Sequence, residues 1–441
     1  MREIAPPGRS QLDAAVLGEL RSLTLALIAA RPDAGEEYAR FLAVGQRGIP
    51  VSEAALAGWL AGATVLVTGG TGCIGSTLMA QVARQRPRRL VSISRGLSNG
   101  WPRLAAAEYA RADIRDPRSL AAIFGEVRPD VVFHLAAQRD PGLAEREVHR
   151  TVTTNVLGTR HVIAAAEESG AAHLVFASTG KALRPYSREV YTASKRAAEW
   201  LVADAALRGS VSYSAARFTH VVDNSIIHSR LLGWCDGGVI RLHAPDIMFY
   251  AQSALESAQL LLRAGLAARP GGLLAHAITD LGWPIGLLDL ALGVLARSGS
   301  DTPVYFSGYD PGYESIPFPG LYDPETAGEV SPLLSAFEAA GARRDPGAAA
   351  DEFPVQLRSG PELDGSLRAL EDACETGQAA AVRAALDELS WWLLDAMLKE
   401  APHEALARVE VLTAPFERQL SPAFTRILAA VRRYAGANLT A

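Results

Sequence analysis

The sequence predicts an α/β fold: a doubly wound parallel sheet of the Rossmann type, with a small substrate-binding lobe and helical extensions at both ends. Two observations carry this prediction. From Ala63 onward, short apolar runs rich in β-branched residues alternate with helical stretches, which is the pattern of strands and crossover helices. The first apolar run leads directly into a glycine-rich turn within residues 65–75, VLVTGGTGCIG, and then into a helical stretch.

The first 62 residues precede this alternating region and have helical composition. Residues 12–30 predict a helix with an apolar stripe, and residues 34–44 predict a second helix. Residues 52–60 predict a third helix, with Ser52 as its N-cap. We interpret residues 1–62 as a helical N-terminal extension that serves packing or dimerisation.

The alternating region extends to about residue 330. After the strand at residues 65–67, further strands are expected at residues 90–93, 130–134, 173–177 and 211–218. Helices are expected at residues 76–83, 118–125, 154–169 and 191–207. Ligands of such sheets bind beyond the carboxyl ends of the strands. We therefore predict one domain over residues 63–330, with a nucleotide-binding core and a substrate lobe over about residues 219–330.

The last part of the chain has a different composition. Turns rich in proline and glycine become frequent between residues 303 and 332, which marks the edge of the catalytic unit. Residues 331–340 then predict a helix, residues 343–364 a loop, and the chain from Gly365 to the end four helices. We assign residues 331–441 to a helical C-terminal extension. Its bulkiest helical face is expected to be packed core: Trp391, Trp392, Leu394 and Met397.

Composition restricts the function classes. The chain has 441 residues, of which 49% are hydrophobic and 21% charged, and a net charge of −5, which disfavours a nucleic-acid or membrane-surface protein. The three cysteines form no Cys-x-x-Cys pair, and the histidines do not follow metal-ligand spacings, so no metal site is predicted. With no signal sequence and no long uncharged apolar run, we expect a soluble cytoplasmic protein.

The glycine-rich turn predicts a dinucleotide site. Gly69 permits the tight turn, Gly72 lets the backbone approach the phosphates, and Gly75 lets the following helix pack closely on the strand. Their spacing is Gly-x-x-Gly-x-x-Gly. Cys73 lies at the start of the helix, a position that lowers the pKa of a thiol. We favour the simpler interpretation that Cys73 is a small residue that fits against the cofactor.

Tyr191 and Lys195 form the second motif, Tyr-x-x-x-Lys. Residues four apart share one face of a helix, so the ammonium group is expected beside the phenol. A nearby positive charge favours the phenolate and lowers the tyrosine pKa toward neutrality. Tyr191 then serves as the general acid and base for a hydroxyl or carbonyl group. Ser178 and Thr179, at the end of the preceding strand, are expected to hydrogen-bond the same substrate oxygen.

The second strand favours NADP over NAD. Arg95 lies 20 residues after Gly75, where an acidic residue would bind the ribose hydroxyls of NAD. The chain instead has Ser94 followed by Arg95, and a hydroxyl with a guanidinium group suits the 2′-phosphate of NADP.

These motifs and several others resemble the extended short-chain dehydrogenases/reductases. The chain is most similar to the bacterial polysaccharide-biosynthesis enzymes that act as nucleotide-sugar 4,6-dehydratases and 5-epimerases, over about residues 44–325. Besides the glycine turn and Ser94-Arg95, the matching segments are Asp113-Ile114, His134-Leu-Ala-Ala137, Thr154-Asn-Val-Leu-Gly158, Ser178-Thr-Gly-Lys-Ala182 with Tyr191 and Lys195, and Arg217-Phe218.

The resemblance implies transient oxidation of a sugar hydroxyl, usually at carbon 4, in a homodimeric enzyme. Tyr191 would take the proton, with Lys195, Thr179 and Ser178 in support and Lys181 as a further catalytic residue. The implied cofactor-binding residues are Gly69, Thr71, Gly72, Cys73, Ile74, Gly75, Ser94, Arg95, Asp113, Ile114, Leu135, Ala136, Ala137, Asn155, Tyr191 and Lys195. The candidate substrate contacts are Arg139, Glu145, His220 and Asn224, whereas His134 is expected to be structural.

The chain departs from the family pattern at residues 217–221, where Arg-Phe-Thr-His-Val stands in place of Arg-Tyr-Gly-Asn-Val, and at three positions where the chemistry changes. Gly180 stands where the dehydratases have an aspartate that serves as the acid for loss of water. Phe249 and Asp310 stand where arginines are expected near the nucleotide diphosphate. Losing two guanidinium groups and gaining a carboxylate disfavours a diphosphate, so the substrate need not be a nucleotide sugar.

Four functions remain open on the sequence. The favoured one is an NADP-dependent epimerase that works through a ketone. The others are a 4,6-dehydratase in which Lys181 replaces the missing acid, a simple NADP-linked dehydrogenase or ketoreductase of specialised metabolism, and a non-catalytic dinucleotide-binding scaffold. In every case the expected partner is a small, sugar-like molecule, with no nucleic acid and no membrane.

Overall fold

The computed structural model describes residues 1–96, 100–209, 211–309, 330–345, 349–355, 360–414 and 422–437, together with Leu321 and Gly347. The chain divides into two compact units. Unit 1 comprises Met1–Gly48, Thr219–Glu256 and Leu281–Ser315. Unit 2 comprises Ile49–Phe218, Ser257–Asp280 and Ile316–Ala441. These units divide the chain differently from the three sequence segments, because the first 48 residues group with the segment that follows Phe218.

The strands of the described residues are numbered in chain order. They are β1 (Thr64–Thr68), β2 (Arg89–Ser94), β3 (Glu108–Arg111), β4 (Val131–His134), β5 (His173–Thr179), β6 (Ser212–Phe218), β7 (His220–Val221), β8 (Ile240–Leu242), β9 (Met248–Phe249), β10 (Ala251–Gln252), β11 (Leu274–Ile278), β12 (Ile285–Gly286), β13 (Val304–Phe306), β14 (Arg343–Asp345) and β15 (Ala350–Pro354).

The α-helices of the same part of the chain are numbered in the same way. They are α1 (Ala14–Ala30), α2 (Ala34–Val44), α3 (Glu53–Leu60), α4 (Cys73–Arg84), α5 (Pro117–Val127), α6 (Pro141–Arg146), α7 (Val148–Val152), α8 (Gly158–Ser169), α9 (Val190–Arg208), α10 (Ile226–Cys235), α11 (Ala254–Ala267), α12 (Leu287–Ser298), α13 (Ala336–Ala339), α14 (Pro361–Thr376), α15 (Ala379–Glu400), α16 (His403–Thr413) and α17 (Pro422–Ala437).

Unit 2 is built on a nine-stranded sheet with the order β14-β15-β11-β6-β5-β4-β1-β2-β3. Seven neighbouring strands of this sheet are parallel to one another: β11, β6, β5, β4, β1, β2 and β3. Strand β15 pairs antiparallel with β11, and β14 pairs antiparallel with β15. Strands β1 and β6 are buried along their whole length, as expected of interior strands of a sheet with helices on both faces. The predicted Rossmann-type parallel sheet is confirmed.

Local sequence signals predicted most helices well. Helix α2 has the predicted bounds, and the Ser52 hydroxyl accepts a hydrogen bond from the amide of Ala55 at 3.2 Å, which confirms Ser52 as the N-cap of α3. The helix predicted over residues 154–169 is regular only in α8, because a π-helical turn, Thr153–Leu157, precedes it. Such turns commonly occur at functional sites.

Two predictions after residue 330 are wrong. Only Ala336–Ala339 is helical within residues 331–340, and two strands, β14 and β15, lie in the segment predicted to be a loop. These strands are short and rich in charged residues, so they lack the apolar alternation by which strands are identified. Strand β15 forms because it pairs with β11, far away in the sequence.

Unit 1 contains the first two helices in its core. Tyr38 and Phe41 of α2 pack with residues of α12 in one buried apolar cluster. The two helices approach closely at Gly293, where an added Cβ atom would lie 2.8 Å from the Tyr38 Cβ atom. Three two-stranded ladders, β7 with β10, β9 with β12 and β8 with β13, complete the regular pairing in the described part of this unit. Helix α2 is therefore packed into the core of unit 1.

None of the described helices combines the length and the apolar character that a bilayer crossing requires.

Candidate cofactor and catalytic site

The glycine-rich turn after β1 has the geometry that its glycines predict. Gly69 has a φ of 79°, in the left-handed region, and a Cβ atom there would lie 2.9 Å from the amide nitrogen of Ala136. A Cβ atom at Gly75 would overlap the carbonyl oxygen of Gly69 and lie 2.8 Å from the Gly70 Cα atom. Both positions exclude a side chain, so the turn folds tightly against the start of α4.

Helix α4 begins directly after the glycine-rich turn, and its N-cap residue is a glycine. Gly72 is the N-cap residue, so the cap itself has no side chain to bond the first-turn amides. The first-turn amide groups of a helix have no intrahelical acceptors, and the positive end of the helix dipole lies there. Thr71 directly precedes the N-cap residue, and Cys73 and Ile74 are the first two residues of α4. Cys73 is buried. This helix start has the chemistry of a phosphate site.

The end of β2 presents polar groups next to this turn in the sheet. The Ser94 hydroxyl is buried and has no hydrogen-bond partner among the described residues, whereas Arg95 is exposed. Arg115 holds the Asp113 carboxylate, with 2.6 Å between Nη2 and Oδ2. This hydrogen bond lowers the Asp113 pKa, and the charge of Arg95 adds to the effect. An unsatisfied buried hydroxyl beside a cation fits an anionic ligand.

The end of β4 is organised by a buried histidine. His134 Nδ1 lies 2.7 Å from the Thr68 hydroxyl and Nε2 lies 3.0 Å from the Thr159 hydroxyl. Burial lowers the His134 pKa to about 3, so the ring is neutral. The amide groups of Leu135 and Ala136, which precede Ala137, both donate to the Thr68 hydroxyl at 3.2 Å. The structural role predicted for His134 is confirmed.

Asn155 connects this segment to the helix that carries Tyr191. Its side-chain nitrogen donates to the Gln138 carbonyl at 3.1 Å and to the Ser194 hydroxyl at 3.0 Å, and its oxygen accepts from the Gln138 amide at 2.8 Å. Asn155 lies in the π-helical turn. Ile114 packs nearby against Gly158, where a Cβ atom would lie 2.8 Å from its side chain.

Tyr191 and Lys195 lie in the first two turns of α9. The Lys195 ammonium group donates to the Ala177 carbonyl at 2.7 Å and lies 4.1 Å from the centre of the Phe176 ring. Burial lowers the Lys195 pKa to about 7. Burial also raises the Tyr191 pKa, while a hydrogen bond with the Thr179 side chain and the charge of Arg139 oppose the rise. The expected lowering of the Tyr191 pKa is therefore wrong for this structure, because loss of water outweighs the effects of Thr179 and Arg139.

Ser178 points into a buried ionic network. Its hydroxyl donates to Glu199 at 2.6 Å, which differs from the expectation that it would bond to a substrate oxygen. Glu199 also binds Arg217, and Arg217 is bound in turn by Glu338, with contacts of 2.8 Å and 2.6 Å. Arg217 is fully buried. Sequence reasoning missed both glutamates, although an arginine inside a buried strand requires anionic partners.

Lys181 lies in a second ionic cluster. Its ammonium group is 2.9 Å from Glu189, which also contacts Arg184 at 2.7 Å and accepts from the Thr192 hydroxyl at 2.6 Å. The two cations lower the Glu189 pKa to about 2 against the effect of burial. Burial lowers the Lys181 pKa, and the charge of Glu189 opposes this. Glu189 was not predicted, although it lies only two residues before Tyr191.

Gly180 is enclosed by the segment that precedes α13. A Cβ atom at Gly180 would lie 2.6 Å from the Leu333 Cδ2 atom and 3.4 Å from the Phe218 carbonyl oxygen. Leu333 is buried, and its carbonyl accepts a hydrogen bond from Arg217 at 3.1 Å. The position therefore has no acidic side chain, and any side chain there would have to displace the end of Leu333.

Glu145 is engaged by protein groups. One carboxylate oxygen accepts from the Val190 amide at 2.8 Å, and the other lies 2.6 Å from a guanidinium nitrogen of Arg383. The structure thus places Glu145 between α9 and α15, in contrast to the substrate contact that the resemblance implied.

Two of the substrate candidates, His220 and Asn224, lie in unit 1, whereas Arg139 lies in unit 2. His220 lies 2.7 Å from the Ser225 hydroxyl through Nε2, and its ring centre is 5.0 Å from that of Phe249. Asn224 ends a 3₁₀ turn, Val222–Asn224. Asp310 lies outside the residues that the structure describes.

Comparison with known proteins shows which family this sequence matches. Residues 65–316 match the family model described as polysaccharide biosynthesis protein. The capsular polysaccharide biosynthesis protein CapD of Staphylococcus aureus is 28% identical over 292 residues, which cover 62% of this chain and 48% of CapD. The UDP-N-acetylglucosamine 4,6-dehydratase (inverting) of Campylobacter jejuni is 30% identical over 143 residues, which cover 31% of this chain and 42% of that enzyme. The chain spans about half the length of the curated relatives it matches.

Solved structures share the fold at low sequence identity. Pen from Bacillus thuringiensis superposes with a TM-score of 0.57 at 23% identity, over 67% of this chain and 88% of Pen. The UDP-glucose 4-epimerase of Thermus thermophilus, solved in complex with NAD, gives a TM-score of 0.50 at 21% identity, over 56% of this chain and 88% of that enzyme. Since the family model covers more than half of the chain, the protein belongs to the polysaccharide biosynthesis protein family of extended short-chain dehydrogenases/reductases.

Proposed function

We propose that this chain is an NADP-dependent enzyme that oxidises a hydroxyl group of a sugar or sugar-like substrate, with epimerisation through a transient ketone as the net reaction. One observation carries the proposal: Tyr191 lies one helical turn from Lys195 at the start of α9, and its phenol is near the Thr179 side chain, at the end of β5 in the sheet that also bears the glycine turn. The similarity to a UDP-N-acetylglucosamine 4,6-dehydratase supports a sugar nucleotide as one substrate class.

The cofactor residues are proposed from their fit to a phosphorylated dinucleotide. The backbone of the turn from Gly69 to Gly75 would hold the pyrophosphate at the start of α4. Ser94 and Arg95 would bind the 2′-phosphate, since the hydroxyl is buried without a partner among the described residues and the cation is exposed beside it. When bound, NADP would supply the hydride acceptor and donor.

The protein groups would handle the protons. Tyr191 would take the proton of the substrate hydroxyl and return it, in its role as general base and acid. Burial raises the Tyr191 pKa, and the Thr179 side chain and the charge of Arg139 oppose this rise. A ketone acidifies the neighbouring carbon, and Lys181 is the candidate base there; burial lowers its pKa, and the charge of Glu189 opposes this.

The surroundings of Gly180 favour epimerisation over loss of water. Elimination requires an acid that protonates the leaving hydroxyl, and Leu333 fills the space that a side chain at position 180 would need. Lys181 is bound to Glu189 at 2.9 Å. The second candidate function is that of a 4,6-dehydratase in which Lys181 acts alone. The similarity of this chain to the UDP-N-acetylglucosamine 4,6-dehydratase of Campylobacter jejuni supports it.

The test begins with mass spectrometry of the nucleotide that is retained by the purified full chain. The protein is then incubated with NADP⁺ and UDP-N-acetylglucosamine in deuterium oxide. We expect deuterium at carbon 5 of the sugar without loss of water, and a decrease of about 10²- to 10⁴-fold in its incorporation in Tyr191→Phe, with NADP binding retained.

Other results would replace the proposal. Loss of the mass of one water would establish the dehydratase, and a stoichiometric change in NADPH absorbance with other hydroxylated substrates would establish a simple dehydrogenase or ketoreductase. NADP binding with no turnover over a broad panel would indicate a scaffold. Tighter binding of NAD than of NADP in parallel titrations would contradict the assignment of Ser94 and Arg95.

We also propose that the protein is a homodimer and that it is located in the cytoplasm. Sedimentation equilibrium tests the number of subunits.

A further inference from the structure

The helix that carries Tyr191 does not cap its own beginning. Its N-cap residue, Glu189, makes no side-chain cap hydrogen bond, because the carboxylate binds Lys181, Arg184 and Thr192. The Val190 amide, directly before Tyr191, donates instead to Glu145 of α6 at 2.8 Å. A carboxylate at a helix N-terminus is favoured by the helix dipole and satisfies an amide group that lacks an intrahelical acceptor.

Arg383 of α15 holds this external cap. One guanidinium nitrogen is 2.6 Å from the second carboxylate oxygen of Glu145, and the other donates to the Glu145 carbonyl at 3.2 Å. The Glu145 side chain is only 7% exposed. Arg383 therefore neutralises a buried carboxylate, and a buried charge without its partner is strongly destabilised.

Two further contacts fix α15 beside the segment that leads into α9. The Tyr186 hydroxyl donates to Asp387 at 2.5 Å, and the Tyr186 ring stacks on Trp391 with 3.9 Å between ring centres. Asp387 and Trp391 follow Arg383 at intervals of four residues, so all three lie on one face of α15. This helix lies outside the residues that match the family model, so the family assigns it no role.

We infer that Arg383 and Glu145 are positioning residues for Tyr191: helix α15 of the C-terminal extension holds Glu145, and Glu145 holds the start of α9. The extension is in this sense part of the catalytic unit. The inference rests on the proposed role of Tyr191 in proton transfer. A displacement of about 1 Å at a reacting group can lower a rate about 100-fold, so a fixed helix start matters for the reaction.

Hydrogen–deuterium exchange of the full chain tests the contacts without any substrate. We expect Glu145→Ala and Arg383→Ala to speed exchange of the amides at residues 190–195 about tenfold, because the first turn loses its cap. Arg383→Lys keeps the positive charge and should restore most of the protection. Lys399→Ala, which breaks an exposed pair with Asp395 on the same helix, is the matched control and should leave these amides unchanged.

Two results would overturn the inference. Exchange at residues 190–195 that is identical in Arg383→Ala and the wild type would show that the contact does not hold α9. Equal acceleration in Lys399→Ala would indicate general loosening of α15.

Turnover distinguishes a positioning role from a purely structural role, because a purely structural role would leave kcat unchanged. With the substrate that the proposed function identifies, Arg383→Ala should lower kcat about tenfold with KM unchanged, and Arg383→Lys should recover kcat. If kcat stays unchanged while exchange accelerates, Arg383 is structural and the positioning role is wrong. If the wild type turns over no substrate, the proposed function fails, whereas the exchange result still decides whether Arg383 holds α9.

Discussion

At the scale of the residue, Lys195 stands out because its environment disfavours its charge. The ammonium group is buried, with one carbonyl acceptor and an aromatic face in contact. Burial lowers its pKa to about 7 from an ordinary value of 10.5. Its charge state thus changes near neutral pH, one helical turn from Tyr191.

This shift predicts how stability depends on pH. Between about pH 7 and pH 10 the unfolded chain holds the Lys195 proton and the folded chain does not, so the unfolding free energy rises with pH, by up to about 1.4 kcal/mol per pH unit. Below pH 7 both states are protonated and the slope vanishes. Urea unfolding from pH 6.5 to pH 9 measures it, and Lys195→Met should remove it. Equal slopes in the variant and the wild type would contradict the prediction.

At the scale of the element, the glycine turn and α4 depend on close backbone contact. Gly75→Ala would place a methyl group against the Gly69 carbonyl and the Gly70 Cα atom, both of which are backbone and cannot move aside. We expect NADP affinity to fall at least about tenfold in fluorescence titration, together with a lower Tm.

Gly125→Ala is the matched control, since Gly125 lies within α5 and a Cβ atom there would meet nothing within 4 Å. It should raise stability by about 0.5–1 kcal/mol and leave NADP binding unchanged. Unchanged NADP affinity in Gly75→Ala would show that the turn does not form the cofactor site.

The buried ionic network joins three elements of unit 2. Glu338 of α13 binds Arg217 of β6 and Arg196 of α9, and Glu338 also closes a capping box with Ser335. Glu338→Gln keeps the shape but removes the negative charge beside two buried guanidinium groups. We expect a loss of about 3–5 kcal/mol in the unfolding free energy.

The control for this variant is Glu410→Gln, which removes the Glu410–Arg432 pair near the surface. A pair of this kind contributes about 0–1 kcal/mol. Thermal unfolding measures both variants, and losses of equal size would contradict the importance of the buried network.

At the scale of the whole molecule, two buried carboxylates predict sensitivity to acid. Glu189 and Glu338 each have a pKa of about 2, against an ordinary value of 4.5, because each is paired with cations. Their contribution to stability is complete above about pH 4.5 and is lost as the pH falls toward 2. We therefore expect Tm to fall steadily below pH 4.5. Glu189→Gln and Glu338→Gln should each reduce the dependence, and an unchanged dependence in both would contradict the assignment.

Local spacing was enough to predict the features that depend on neighbours in the chain. The roles of Gly69 and Gly75 follow from turn and packing sterics within eleven residues. The N-cap at Ser52 and the parallel sheet also follow from short-range patterns, because hydrophobic periodicity and capping chemistry act over a few residues. Tyr191 and Lys195 share a helix face for the same reason.

The tertiary structure decided everything that joins distant segments. Arg383 meets Glu145 across 238 residues, and Glu338 meets Arg217 across 121 residues. Leu333 fills the space beside Gly180, and β15 joins the sheet only through its pairing with β11. The pKa of Tyr191 rises because burial depends on the whole fold. Sequence alone thus determined the glycine turn and the tyrosine–lysine helix. The surrounding charges and the space around the site emerged only when long-range packing removed these groups from water.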